Sequence, residues 1–213
     1  MSGRVMTVAQ QKGGSGKTTL AANLAVAWSL DGRHSVAVLD VDPQGSLGDW
    51  FERRERRMGE DRTGLTFRTA SGWGAKREAR SLARDHDIVV IDTPPHADLE
   101  LRSAIENAAL VVVPVQPSPA DLWATEATLE AAIKERVGAL MVLNRVPPRA
   151  RLTEEMAAAL QEFGAPLAVT RLGNRVSFSE GFKVGGSPVE ARKLSQAADE
   201  VRMLAAEILK SLR

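Results

Sequence analysis

A ten-residue glycine-rich run, Gln10-Gln11-Lys12-Gly13-Gly14-Ser15-Gly16-Lys17-Thr18-Thr19, limits what this chain can fold into more than any other stretch. It follows the strand-like Val5-Met6-Thr7-Val8-Ala9 and precedes Leu20, Leu24, Ala27 and Trp28, which recur at helical spacing. Strand, glycine-rich loop and helix together make a phosphate cradle. Loop N–H groups and the helix N-terminus face the anion, a lysine reaches the β- and γ-phosphates, and a hydroxyl faces Mg²⁺. Gly16-Lys17-Thr18 supplies the second half of that pattern, while Gln11 stands where the common form has its first glycine. Gly13, Gly14, Ser15, Gly16, Lys17, Thr18 and Thr19 are therefore the expected nucleotide-binding residues. Lys12 is an additional lysine for which the common pattern has no use.

The remainder of the chain alternates strand-like and helical segments, which predicts an α/β protein with a mainly parallel central sheet and helices on both faces. The expected strands are Val5–Ala9, Ser35–Leu39, Leu65–Thr69, Asp87–Ile91, Ala109–Val115, Ala139–Leu143 and Leu167–Thr170. Runs such as Ile88-Val89-Val90-Ile91 are apolar throughout, the pattern of a strand buried on both faces. Helices are expected from the loop to Leu30, over Ser46–Met58 and Ala75–Arg84, from the Ser118 cap to Arg136, from a Thr153 cap over Glu154–Phe163, and over Ser195–Leu212. At 213 residues, residues 1–213 read as a single domain. The Glu52–Arg57 charge run reads as a solvated helix face, with Arg54 on the same side as Leu47, Trp50 and Phe51. The last helix turns Val201, Leu204, Ala205, Ile208, Leu209 and Leu212 to one face, so its basic end reads as part of a core-facing turn.

A phosphate cradle becomes a hydrolase when carboxylates stand at neighbouring strand ends. Asp92 directly follows Ile88–Ile91, where a carboxylate orients Mg²⁺, usually through water. Asp40 and Asp42, in Leu39-Asp40-Val41-Asp42-Pro43-Gln44-Gly45, are one residue apart and point to the same side of an extended chain. One of the pair is expected in the metal's surroundings, leaving the other to position water. Asn144-Arg145, after Ala139–Leu143, is the expected contact to the nucleobase, with a strand-end turn as the alternative.

With KGGSGKTT, DVDPQG and VVIDTPP in that order, and VLNR and SFSEGFKVGGSP following, the chain resembles the ParA/MinD family of deviant Walker A ATPases along its whole length. The resemblance implies a P-loop NTPase fold, ATP with Mg²⁺, and an ATP-dependent homodimer in which Lys12 reaches the phosphates of the partner. A cation delivered across such a seam acts as an arginine finger does. It implies that Lys17 holds the phosphates, Thr18 binds Mg²⁺, Asp42 positions the attacking water, Asp92 holds the metal's outer shell, and Asp40 supports the switch on the metal side.

Absences narrow the choice within the family. With no cysteine and no tyrosine, the iron–sulfur members and the tyrosine-kinase members do not fit. The loop begins too early for the N-terminal helix-turn-helix of large ParA proteins. No apolar run is long enough to span a bilayer, so the expectation is a cytoplasmic, nucleoid-associated short ParA without stable membrane association. The net charge of +1 gives no general nucleic-acid signal, so any DNA contact must be a local patch. Arg171, Arg175, Lys183, Arg192 and Lys193 are the candidates for non-specific DNA binding, and a ParB-like or adaptor protein is the expected activator. The alternatives are a MinD-like membrane regulator and a ligase of the dethiobiotin synthetase type.

Overall fold

The computed structural model describes residues 3–95, 98–149, 151–191 and 195–212. Among these residues, six strands, β1 (Arg4–Val8), β2 (Val36–Asp40), β3 (Thr66–Thr69), β4 (Ile88–Asp92), β5 (Leu110–Val115) and β6 (Ala139–Leu143), form one sheet in the order β3-β2-β4-β1-β5-β6. Every pairing is parallel, so all strands end along the same edge. The sheet matches the expected one except at its far side. Leu167–Thr170 makes only a single bridge, Leu167 to Met141, and Val169 is 88% exposed. Glu207 accepts the backbone N–H groups of Val169 (2.7 Å) and Thr170 (3.0 Å), so these two donors are satisfied by a side chain.

Among the described residues, eight α-helices flank the sheet: α1 (Lys17–Leu30), α2 (Ser46–Met58), α3 (Gly72–Asp85), α4 (Asp98–Ile105), α5 (Pro119–Lys134), α6 (Arg151–Gln161), α7 (Val176–Lys183) and α8 (Gln196–Ser211). Alternate strand residues serve opposite faces. Met6, Val8, Val38, Val90, Val112 and Val142 pack with α1, α2 and α8, whereas Val5, Leu39, Val89, Val111 and Met141 belong to the clusters on the other side. Two buried faces explain apolar runs that show no alternation.

Local chemistry sets the helix limits. Ser118 accepts the N–H of Asp121 ahead of Pro119, and Ser195 accepts the N–H of Ala198, so both ends are capped. Thr153 does not cap α6, because the helix already begins at Arg151 and Thr153 lies inside its first turn. The short α4 and α7 escape the sequence pattern. α7 has no buried residue in its own span, leaving little periodicity to detect. The apolar face of α8 is as expected, with Val201, Leu204, Ala205, Ile208 and Leu212 in the core. Among the described residues, no helix is long and apolar enough to cross a membrane.

Candidate functional site

Strand register gathers the predicted chemistry at one end of the sheet. Val8, which leads into the glycine loop, pairs with Asp92, and Asp92 also pairs with Asp40. β1 lies between β4 and β5, where the connections leave in opposite directions; open α/β sheets bind ligands outside the strand ends at such a point. Gly14 and Gly16 have φ of 78° and 93°, so the loop turns through left-handed positions open to glycine. A Cβ at Gly16 would lie 2.5 Å from Nδ2 of Asn144, which makes glycine a packing requirement there as well.

The two lysines have separate surroundings. Lys17 is buried, with Nζ 3.4 Å from the carbonyl of Lys12. Burial lowers its pKa, against the opposing pull of Asp92 and Asp42. Lys12 instead forms an ion pair with the buried Asp121 of α5. Its loop is tied to the same helix, with Gln10 donating to Thr125 (3.0 Å) and Thr128 donating back to Gln10 (3.2 Å), and to the turn before that helix, where Gln116 donates to the carbonyl of Gly14 (2.7 Å). Lys12 is thus held outside its own phosphate cradle.

Asp92 is completely buried, and neither carboxylate oxygen has a hydrogen-bond partner among the described residues. Burial pushes its pKa up to about 8, although the nearby Thr18 hydroxyl and the Lys17 ammonium pull the other way. Ser15 Oγ in the loop is also buried and unpartnered among the described residues. Groups of this kind are costly unless a ligand satisfies them.

Asp40 and Asp42 differ in what surrounds them. Asp40 accepts the backbone N–H of Asp42 (3.0 Å) on one oxygen and that of Gly48 (3.1 Å) on the other, so its carboxylate braces the turn into α2. Burial raises its pKa against those bonds. Asp42 accepts the N–H of Gln44 (2.9 Å) and lies close enough to act on Lys17.

Asn144 sits at the end of β6 as expected, but its amide faces the loop. Nδ2 donates to the Ser15 carbonyl (2.9 Å), and Oδ1 accepts the N–H of Arg145 (3.0 Å). A cavity of about 240 Å³ adjoins it, lined by Thr19, Asn144, Arg145, Leu172 and Phe178 among others.

Among the described residues, the basic candidates differ in how far their charge is already paired. Arg171 binds both oxygens of Glu154, and Arg175 binds both oxygens of Glu200, at 3.0 Å and 2.5 Å. Lys183 is exposed at the end of α7. Arg192 and Lys193 lie outside the described residues.

Sequence reasoning puts Arg54 on the apolar face of α2, as found, but does not reveal the bonds it makes there. Arg54 is buried under Gly185 and Glu190: Nε donates to the Thr63 carbonyl (2.8 Å), Nη1 to that of Gly185 (3.2 Å), and Nη2 pairs with Glu190 (2.9 Å). Arg57 joins Glu190 as well (2.8 Å) while staying on the exposed face expected for it. The available signal is the position of Arg54 among Leu47, Trp50 and Phe51.

A family model for the CobQ/CobB/MinD/ParA nucleotide binding domain matches residues 6–185. The chain belongs to this family. Maintenance of carboxysome distribution protein A of Halothiobacillus neapolitanus is 30% identical over 214 residues, covering 97% of this chain and 96% of the relative. The chromosome-partitioning ATPase Soj of Thermus thermophilus is 29% identical over 238 residues, covering 97% and 95%. Among solved structures, the cell division ATPase MinD of Pyrococcus furiosus superposes with a TM-score of 0.82 at 24% identity, covering 98% of this chain and 99% of that one. An ATP complex of a Cyanothece McdA variant gives 0.78 at 16% identity, covering 99% and 96%. At these identities the structural likeness concerns the fold. This family member is a nucleotide-binding protein of ParA/MinD type, with the P-loop fold that its sequence predicts.

Proposed function

We propose that this chain is a positioning ATPase that binds Mg-ATP, pairs with a second copy when ATP-bound, and hydrolyses ATP while holding DNA without sequence preference. The observation that carries the reading is the contrast between the cradle, where the Asp92 carboxylate and the Ser15 hydroxyl are buried and without a hydrogen-bond partner among the described residues, and Lys12, which points away to Asp121. Lys12 is then not used by the phosphate cradle of its own subunit, and a role across a dimer seam would have it exchange Asp121 for the partner's phosphates. The relatives named for carboxysome distribution and chromosome partitioning support positioning as the purpose.

The donor set suits magnesium. Thr18 offers a hydroxyl, and Asp92 offers a carboxylate whose oxygens are otherwise unsatisfied. Bound there, the ion would neutralise phosphate charge and restore Asp92 to its ionised form. Lys17 would bind the β- and γ-phosphates, the loop N–H groups would orient them, and the cavity beside Asn144 and Arg145 would receive the nucleoside. Asp42, on the turn braced by Asp40, would orient the attacking water. Lys12 from the partner would stabilise charge developing in the transition state.

The test separates binding from turnover. Asp42→Ala should bind ATP, lose turnover and accumulate as a dimer in size-exclusion chromatography, whereas Lys17→Ala should lose ATP affinity. An Asp42→Ala protein that stays monomeric at saturating ATP would remove the role given to Asp42. Mixing Lys12→Ala with a separately inactive variant probes the trans role. The trans role fails if Lys12→Ala alone hydrolyses ATP at the wild-type rate, and equally if Lys12→Ala is inactive and no mixing ratio restores activity.

A further inference from the structure

A groove of about 600 Å³ runs between the turn after β6 and the segment leading to α7, and four arginines line it: Arg149, Arg151, Arg171 and Arg175. Their charges are not equally available. Arg171 and Arg175 are each clamped by one glutamate through two nitrogens, so a phosphate could reach either only by displacing a bidentate carboxylate. Arg151 is 94% exposed, and its contact with Glu155 (3.2 Å) is a solvent-facing pair of the kind that exchanges readily. Arg149 is exposed and makes no ion pair among the described residues. The free positive charge of the groove therefore lies on Arg149 and Arg151, not on the two arginines that the sequence singles out.

Two further features favour an anion there. The groove reaches the first turn of α6, an eleven-residue helix whose N-terminal end attracts negative charge. Thr153 in that turn lines the groove, is 2% exposed, and has a hydroxyl with no hydrogen-bond partner among the described residues. The turn itself is prearranged. Val146 donates to the Leu172 carbonyl (2.9 Å), Pro147 and Pro148 stiffen the next two positions, and Arg149 holds a φ of 56°.

We propose that this groove binds the phosphates of duplex DNA through Arg149 and Arg151. The ligand class follows from the layout: two exposed guanidinium groups on an open rim suit a repeating chain of phosphates, whereas a single small anion needs convergent donors in a closed pocket. The groove also shares Gly173 and Arg175 with the cavity beside the phosphate loop. A nucleotide in that cavity would touch the same segment, which provides a route for ATP to influence DNA affinity. This inference rests on the DNA-binding part of the proposed function and gives it a location.

The test is fluorescence anisotropy of a labelled duplex of random sequence, measured with a non-hydrolysable ATP analogue and Mg²⁺ over a series of KCl concentrations. For wild type, log K should fall linearly with log salt. Arg149→Ala/Arg151→Ala should flatten the slope by about 0.9 for each phosphate no longer neutralised and weaken binding roughly tenfold at low salt. Arg171→Ala should leave the slope unchanged, and nucleotide affinity should be the same in all three proteins. A wild-type slope in the double variant, or flattening by Arg171→Ala instead, overturns the location and leaves the functional reading standing. Wild type that binds no duplex at low salt overturns both. Competition by inorganic phosphate at fixed ionic strength would show a small-anion site and overturn the assignment to DNA.

Discussion

Asp92 and Arg54 are both charged side chains sealed from water, one at the end of β4 and the other in α2, and their surroundings differ in every respect. Arg54 is 1% exposed, yet it donates to two backbone carbonyls, pairs with Glu190 and lies 5.6 Å from the centre of the Trp50 ring. Burial alone would raise the Glu190 carboxyl; Arg54, helped by Arg57, outweighs it and holds that pKa below the usual value. Asp92 has no hydrogen-bond partner among the described residues, and its pKa is pushed up to about 8. A buried charge whose bonds are complete belongs to the architecture, whereas one left incomplete belongs to a site that a ligand completes. The two regions communicate through bonded neighbours. Glu190 accepts the N–H of Ser187 (3.0 Å), Ser187 donates to Asn23 (2.5 Å), and Asn23 donates to the carbonyl of Thr19 in the first turn after the phosphate loop (2.7 Å).

Three substitutions probe this contrast in descending order of expected effect. Arg54→Ala leaves Glu190 with Arg57 alone, removes the donor to the Thr63 and Gly185 carbonyls and empties a buried site, and should destabilise the fold by about 3–5 kcal/mol in urea denaturation. A change below about 1 kcal/mol would mean that the guanidinium is not structural. Asp92→Asn should act in the opposite direction. Because the folded-state pKa of Asp92 is raised, the folded protein holds the extra proton, and its stability falls as pH climbs from 3.8 to about 8. Without nucleotide or metal, Asp92→Asn should therefore be more stable than wild type by about 1–3 kcal/mol at pH 8, with little gain near pH 4. Equal stability at both pH values would remove the assignment of Asp92 as an unsatisfied group. Ser187→Ala breaks the link to Asn23 and should cost about 1 kcal/mol. Hydrogen exchange at the start of α1 should rise with it, and unchanged exchange there would deny the connection.

The sequence reveals most where residue types carry their own geometry. Gly14, Gly16, Lys17 and Thr18 announce a phosphate loop, and unbroken apolar runs announce strands with two buried faces. Ser118-Pro119 announces a helix start. Long-range partners are less legible. Nothing local indicates that Glu207 takes the backbone bonds of Val169 and Thr170, and so the pattern suggests a strand where the chain is irregular. Arg171 and Arg175 look available until Glu154, 17 residues away, and Glu200, 25 residues away, are seen to hold them. The position of Asn144 at a strand end is legible, but the direction of its amide depends on how closely Gly16 lets the loop approach.

The claim that the cradle is completed by Mg-nucleotide is tested most directly by thermal unfolding of wild type, Lys17→Ala and Asp92→Asn, each with ATP and Mg²⁺, with ATP and chelator, and without ligand. Wild type should gain several degrees with Mg-ATP and much less under chelation, because a ligand that binds only the folded state stabilises it by mass action. Lys17→Ala should gain nothing. Asp92→Asn should begin higher at pH 8 and lose its dependence on Mg²⁺. If Asp92→Asn keeps the full magnesium-dependent gain, the buried carboxylate is not the group that the nucleotide complex completes, and the account of the site fails at its centre.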